Sequence, residues 1–284
     1  MPARLGAEVS RCEGGLLTLR LLAWKFRQVA AVASISISVG LWAAPAAAYR
    51  PFDGTDAAVA DLGELEIEFQ PAGFVRTTST TALAGPNAVF NYGFAERWEL
   101  VLQGAAQGFP AGAGPTNVPN GAFLKYVVRP GALQDKPGPS VATEFGPLLP
   151  NVAGSGAGLS WTGIVSQRWD WGTVHFNVAT NLTPDQHGEF FVDAIIEGPH
   201  QWQVRPVFEF YSDSLTDHTQ TFSALAGAIW QVNDKLSFDL AFRYALVDGR
   251  PVNELRAGFT VGFPVNLGRP MAAESQSNLA MGRR

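Results

Sequence analysis

The connectors between strand-like segments alternate in length along this chain. After residue 60, twelve such segments are separated by clusters of Gly, Pro, Asn and Asp. The odd-numbered connectors run about 15, 12, 9, 9, 7 and 7 residues, and the even-numbered ones about 3, 10, 2, 4 and 4, with only the fourth (Pro130–Pro139) out of step. A two-sheet sandwich has no reason to sort its loops in this way, whereas a membrane barrel has short periplasmic turns and longer external loops. The pattern predicts an all-β protein, a twelve-stranded antiparallel up-and-down transmembrane β-barrel.

The charge content agrees with this fold. Of the 284 residues, 46% are hydrophobic and only 16% are charged, against roughly 25% charged in an ordinary soluble domain. A lipid-facing surface must exclude charge, so a shortfall is expected. The net charge is -5, and no basic run follows the N-terminus. The chain therefore lacks the basic surface that nucleic-acid binding requires.

The N-terminus has the pattern of a targeting segment. Basic residues precede an apolar run from Val29 to Ala44, and the small residues Ala46–Ala48 follow it. The sole cysteine, Cys12, lies in this segment, so a mature chain would have no disulfide and no thiol chemistry. The expected division is a signal peptide (1–48), a periplasmic N-terminal segment (49–62), an outer-membrane β-barrel (63–263) and a disordered periplasmic tail (264–284).

Side chains alternate between apolar and polar within the segments. In the eleventh, for example, Phe238, Leu240 and Phe242 alternate with Asp239 and Arg243. A period of two over eight to eleven residues suits a tilted strand that spans a membrane. With the apolar face toward lipid, the polar face lines the lumen, and both charge signs occur there. The expected lumen-lining residues are Glu66, Glu68, Glu99, Lys125, Arg168, His175, Arg205, Glu209, Asp239, Arg243, Glu254 and Arg256.

Aromatic and C-terminal residues add two further expectations. Tryptophans next to short turns predict an aromatic girdle at the periplasmic interface, where amphipathic rings prefer to lie. The last strand is similar to the final-strand signal that the barrel assembly machinery reads. The girdle residues are Trp98, Trp169, Trp171, Trp202 and Trp230, and the assembly-signal residues are Arg256, Gly258, Val261 and Phe263.

Three stretches resemble a known family. They are Tyr49–Phe52 with Thr55–Ala57 and Gly63–Glu68, then Tyr92–Leu100, and Arg256–Phe263. They are similar to bacterial outer-membrane proteins that are loosely named for the meta-cleavage pathway of phenol degradation and described as transporters. The resemblance implies a membrane barrel with a transport role, and it implies no catalytic or ligand residues.

A few polar residues are also compatible with catalytic or metal chemistry. A lipid hydrolase could use His175 as base, Asn177 as orienting residue and one of Ser160, Thr162 and Ser166 as nucleophile. Histidine among serines is more often a hydrogen-bonding group of a lumen. His187, His200 and His218 fall in separate connectors, which argues against a zinc site.

The sequence therefore predicts a channel or passive transporter for an unknown small solute in the bacterial outer membrane, with no enzymatic activity, metal or cofactor. Its expected partners are outer-membrane lipid and the barrel assembly machinery. The long loops 73–87 and 109–120 are the expected gates. A barrel whose lumen is plugged by paired charges, a lipid hydrolase and a soluble secreted β-protein remain as alternatives.

Overall fold

The protein is a closed barrel of twelve antiparallel strands, as predicted. The computed structural model describes residues 50–109, 120–150 and 156–265, so the expected signal peptide and most of the expected tail lie outside the described residues. Each strand pairs with its neighbours in sequence, and β1 pairs with β12 to close the sheet. The strands are β1 (Glu64–Arg76), β2 (Thr81–Ala95), β3 (Trp98–Phe109), β4 (Asn120–Arg129), β5 (Ser140–Leu149), β6 (Gly158–Trp169), β7 (Gly172–Leu182), β8 (Gly188–Glu197), β9 (Val204–Leu215), β10 (Gln220–Asn233), β11 (Leu236–Val247) and β12 (Arg250–Pro264).

In the part of the chain that the structure describes, helical structure is confined to one short turn. The described residues contain a 3-10 turn at Ala132–Gln134, between β4 and β5. No helix in those stretches is long and apolar enough to cross a membrane.

The outer face of the barrel is apolar. In β11, Leu240 is 56% exposed on the outside, whereas its neighbours Asp239 and Ala241 are 7% and 2% exposed. In β9, Phe208 and Phe210 are likewise exposed on either side of the buried Glu209. A surface of large apolar side chains around the whole barrel requires a hydrocarbon surrounding, because water would disfavour it. The molecule is an outer-membrane β-barrel.

Five of the tryptophans in the described residues lie at or near one rim. Trp98, Trp169 and Trp230 lie at the strand ends of this rim, and Trp171 and Trp202 lie in its connectors. Trp169 and Trp171 stack with ring centroids 5.3 Å apart. We call this the tryptophan rim; its connectors are 96–97, 130–139, 170–171, 198–203 and 234–235. The opposite one is the far rim, with connectors 77–80, 110–119, 150–157, 183–187, 216–219 and 248–249.

The far-rim connectors that the structure describes in full are shorter than predicted from the sequence. Most of the expected loop 73–87 is strand, since β1 extends to Arg76 and β2 begins at Thr81. The glycine and proline there mark irregularities in the pairing, with register shifts around Gly85–Pro86, and not a loop. That segment is therefore no gating loop. Residues 110–119 of the second expected gate lie outside the described residues.

Candidate functional site

Residues 50–62 lie inside the barrel, where the sequence analysis had expected a periplasmic segment. We call them the lumen segment. Running back from Gly63, which directly precedes β1, the segment follows the inner wall and contacts β3, β6, β7, β9 and β11 in turn. Its amides have no sheet partner of their own. The wall offers them buried carboxylate, amide and hydroxyl acceptors, and this compensates for the loss of water.

A carboxylate and an arginine of the wall hold the far part of the segment. Oε1 of Glu209 accepts hydrogen bonds from the amides of Asp53 and Gly54, both at 2.8 Å. The Arg256 guanidinium donates to the carbonyl of Pro51 and to Oδ1 of Asp53, each at 3.0 Å. Burial disfavours the charged carboxylate of Asp53, but Arg256 and Arg243 outweigh it and hold the pKa of Asp53 below its usual value. Asp53 is thus retained as an anion beside Arg256.

The first described residue is anchored on β1, β11 and β12. The Nε of Arg50 lies 3.2 Å from Oδ2 of Asp239, and another of its nitrogens donates to Gln70 at 3.0 Å. Gly258 makes room for this side chain, because a Cβ there would lie 2.5 Å from the Arg50 Nε. In the structure Gly258, which the sequence predicts to be part of an assembly signal, permits close approach of the lumen segment.

Lys125 holds the middle of the segment. Its Nζ lies 3.2 Å from the Thr55 hydroxyl and 3.6 Å from a carboxylate oxygen of Asp56. Glu99, which is paired with Lys125 across strands β3 and β4, lies 3.9 Å from the same Nζ. It also accepts a hydrogen bond from the amide of Ala60. A buried lysine is thereby neutralised jointly by the wall and the segment.

A serine, a histidine and a glutamate form a hydrogen-bonded row on the wall. The Ser166 Oγ lies 2.8 Å from Nδ1 of His175, whose Nε2 lies 3.2 Å from Oε1 of Glu197. Asn177 does not orient His175, as the hydrolase alternative required; its amide group donates to Asp193 at 2.7 Å. Ser166 is fully buried and accepts a hydrogen bond from the amide of Ala57 at 2.9 Å. The row therefore serves as an acceptor for the lumen segment.

Apolar contacts hold the segment at two further points. Phe52 packs against a buried cluster of wall side chains that includes Leu225 and Ile229. Ala57 is buried against Ala142 and Ile164. The inner wall is thus not uniformly polar, and these apolar positions were not expected from the sequence, although Leu225, Ile229 and Ile164 break the alternation in their strands.

The structure places all twelve expected lumen-lining residues on the inner face. Three arginines, Arg168, Arg205 and Arg243, are half-buried and the remaining nine are buried. Many of them contact other wall residues or the lumen segment and do not face an open bore. The sequence analysis missed the segment side chains themselves; its only signal was the charged set Arg50, Asp53 and Asp56 ahead of the first strand. Gln134 and Glu197 also contribute and were not expected from the sequence.

Two cavities lie on either side of the lumen segment. One, of about 510 Å³, opens at the tryptophan rim and is lined by Asp61, Glu64 and Arg97 among others. The other, of about 450 Å³, extends toward the far rim, past Ser160 and Asp213. Both cavities share Asn91, Glu99 and Lys125 in their linings, at the level where Lys125 binds the segment. The lumen segment thus divides the lumen of the barrel.

Gly54 lies too close to the wall for a side chain. A Cβ at residue 54 would lie 1.6 Å from Oδ2 and 2.6 Å from Cγ of Asp193, a side chain held by Asn177. We expect Gly54→Ala to push the segment away from Glu209. A hydrogen bond to a charged group contributes about 1.5–3 kcal/mol, so its loss should raise the displaced population at least about tenfold.

The displacement can be measured with a cysteine reporter. Thr55→Cys, in a Cys12→Ser background, should react with a maleimide at least about tenfold faster when Gly54→Ala is added. Gly163→Ala is the matched control, because a Cβ there meets its nearest atom at an ordinary 3.5 Å. Equal labelling rates with and without Gly54→Ala would contradict the placement of the segment.

Comparisons with known proteins agree on the fold. No protein-family model matches the sequence, and no protein of curated function matches it. An outer-membrane channel from Pseudomonas putida F1 superposes with a TM-score of 0.50 at 10% identity, over 75% of this chain and 100% of the other. The KdgM porin in complex with disordered oligogalacturonate gives 0.46 at 9% identity, over 70% and 99% of the two chains. The CymD monoaromatic hydrocarbon channel gives 0.45 at 10% identity, over 72% and 89%. At such identities the first likeness shows a shared outer-membrane barrel fold.

Proposed function

We propose that this protein is an outer-membrane channel for small solutes and that the lumen segment controls passage through it. The supporting observation is the pair of cavities separated by residues 50–62. Each cavity is large enough for a small organic molecule, and their shared lining at Asn91, Glu99 and Lys125 defines where they would join. The Pseudomonas putida F1 protein of the same fold is an outer-membrane channel, which agrees with this proposal.

The segment is attached in a way that permits release. The wall strands are joined by continuous main-chain ladders, whereas residues 50–60 are held by hydrogen bonds and ion pairs to wall side chains. Such contacts can be replaced by water without opening the sheet. A displaced segment would leave the twelve-stranded wall intact and connect the two cavities.

Two alternatives receive less support. A purely structural barrel does not require cavities on both sides of the lumen segment. A lipid hydrolase needs an accessible nucleophile, yet Ser166 is buried and already accepts a hydrogen bond from the lumen segment. The mixed charge of the lumen favours neither anions nor cations outright, so we propose small polar solutes as cargo.

A reversible cross-link tests the proposal. Ala57 and Ser166 are joined by a hydrogen bond from the amide of Ala57 to the Oγ of Ser166, so the double variant Ala57→Cys, Ser166→Cys, with Cys12→Ser, should form a disulfide that locks the segment. In planar bilayers we expect no conductance steps from the oxidised protein and steps after reduction. Uptake of small sugars by proteoliposomes should follow the same pattern.

The single variant Ala57→Cys is the control, since it lacks the second thiol and should conduct equally under both conditions. Equal conductance of the oxidised and the reduced double variant would contradict gating by the segment. Silence of both forms, and of a variant without the segment, would favour the structural barrel.

A further inference from the structure

Two histidines from separate connectors meet at the far rim. His187 ends the connector 183–187, and His218 lies in the connector 216–219. The Nε2 atoms of the two rings are 2.9 Å apart. Their separation in the sequence had argued against a zinc site. Pairing of β8 with β9 brings them together, because Glu189 faces Leu215 at the ends of those strands.

The two rings are not aligned head to head. Their centroids are 4.0 Å apart and their planes are inclined by 75°. A collinear N–H···N hydrogen bond of the same length would separate the centroids by about 5 Å. The two Nε2 atoms are within hydrogen-bond distance of each other, and their rings meet edge to face instead of end to end.

Their separation fits two neighbouring ligands of one metal ion. Imidazole nitrogens bind transition metals at about 2.0–2.1 Å, so two of them at right angles around an ion lie about 2.9 Å apart. A tetrahedral arrangement, as zinc prefers, would need about 3.4 Å. Right-angle geometry is typical of square-planar or octahedral copper(II) and nickel(II), which imidazole binds well.

We propose that His187 and His218 form a binding site for a divalent transition metal ion, with copper(II) and nickel(II) preferred over zinc. No cluster of three or more His, Cys, Asp or Glu side chains suited to a metal occurs among residues 50–109, 120–150 and 156–265, so water completes the coordination sphere. This site is independent of the lumen segment and of the proposed channel function.

The backbone on both sides of the site is fixed by local hydrogen bonds. The amide of His187 donates to the Thr183 hydroxyl at 3.0 Å, and its carbonyl accepts from the Thr183 amide at 2.9 Å. The amide of His218 donates to the carbonyl of Leu215 at 3.1 Å. Turns held in this way present both imidazoles without a further loss of backbone freedom, which favours chelation over binding to one histidine.

Titration of the mature protein in detergent with copper(II) alone, and with nickel(II) alone, tests the site. We expect one ion per chain by calorimetry, and an electron paramagnetic resonance spectrum of the copper(II) form that shows coupling to two nitrogens. His187→Asn and His218→Asn should each weaken binding by about tenfold or more and remove the two-nitrogen signature.

His200→Asn is the matched control. His200 is an exposed histidine in the connector 198–203 at the tryptophan rim, and its loss should leave both readouts unchanged. Each variant is first shown to run as a folded barrel on unheated gels. Wild-type affinity in either single variant, or a loss of binding in His200→Asn, would overturn the assignment.

Discussion

Deletion of residues 50–60 is expected to turn an intermittently conducting barrel into a permanently open one. The deleted residues carry the contacts to Glu209, Arg256, Lys125 and Ser166. Several hydrogen bonds to charged groups, each worth about 1.5–3 kcal/mol, keep the wild-type segment in place nearly all the time. Without it we expect the time-averaged conductance in planar bilayers to rise at least about tenfold, since 1.4 kcal/mol already corresponds to that factor.

A second variant distinguishes the loss of the segment itself from the loss of its contacts with the wall. Replacing residues 50–60 by an equally long Gly-Ser sequence keeps the chain length and removes every anchoring side chain. It should conduct nearly as well as the deletion, because a flexible chain without partners gains nothing by staying in the lumen. If the time-averaged conductance of both variants equals that of the wild type, the lumen segment does not control passage.

A charge on the outer face should destabilise the barrel strongly. Leu240 is 56% exposed on the outside of β11, five positions along the strand. An arginine near the bilayer midplane of such a barrel costs about 2–4 kcal/mol, so Leu240→Arg should lower the free energy of unfolding by that amount. The measurement is a urea titration in lipid bilayers that follows the fraction of heat-modifiable, folded protein.

The same exchange near a rim is the matched control. Leu159 is as exposed as Leu240 but lies at the far-rim end of β6. Because the penalty falls to about 0–1 kcal/mol near the interfaces, Leu159→Arg should be nearly neutral. Equal effects at both depths would mean that the outer face of β11 does not lie in hydrocarbon.

The wall of the barrel could be predicted because its information is local. Alternation such as Phe238, Asp239, Leu240 assigns each side chain to a face, and the turn residues set the strand count. Strand ends were less predictable. Around Gly73 and Gly85 the residues that usually mark a loop instead lie in extended strands with register shifts, since pairing with neighbours satisfies the backbone beyond the apolar band.

The position of the lumen segment inside the barrel could not be predicted, because the residues that it contacts are remote in sequence. Residues 50–62 have no periodicity, and Arg50 and Arg256 reveal nothing of Asp239 or Asp53 until the sheet closes. The meeting of His187 and His218 depends in the same way on the pairing of β8 with β9. Lumen-facing positions were recognisable, but not which of them bind the segment.

The seam between β1 and β12 also imposes an order on biogenesis. The lumen segment ends one residue before β1, the first strand made, and β12 is the last to be made, with Leu65 beside Phe263 in the finished register. The N-terminal residues can therefore collect against the concave side of a curling, still unsealed sheet. Pairing of β12 with β1 would then enclose these residues in the barrel. We expect an assembly intermediate halted before this last step to hold its N-terminus more loosely than the mature protein does.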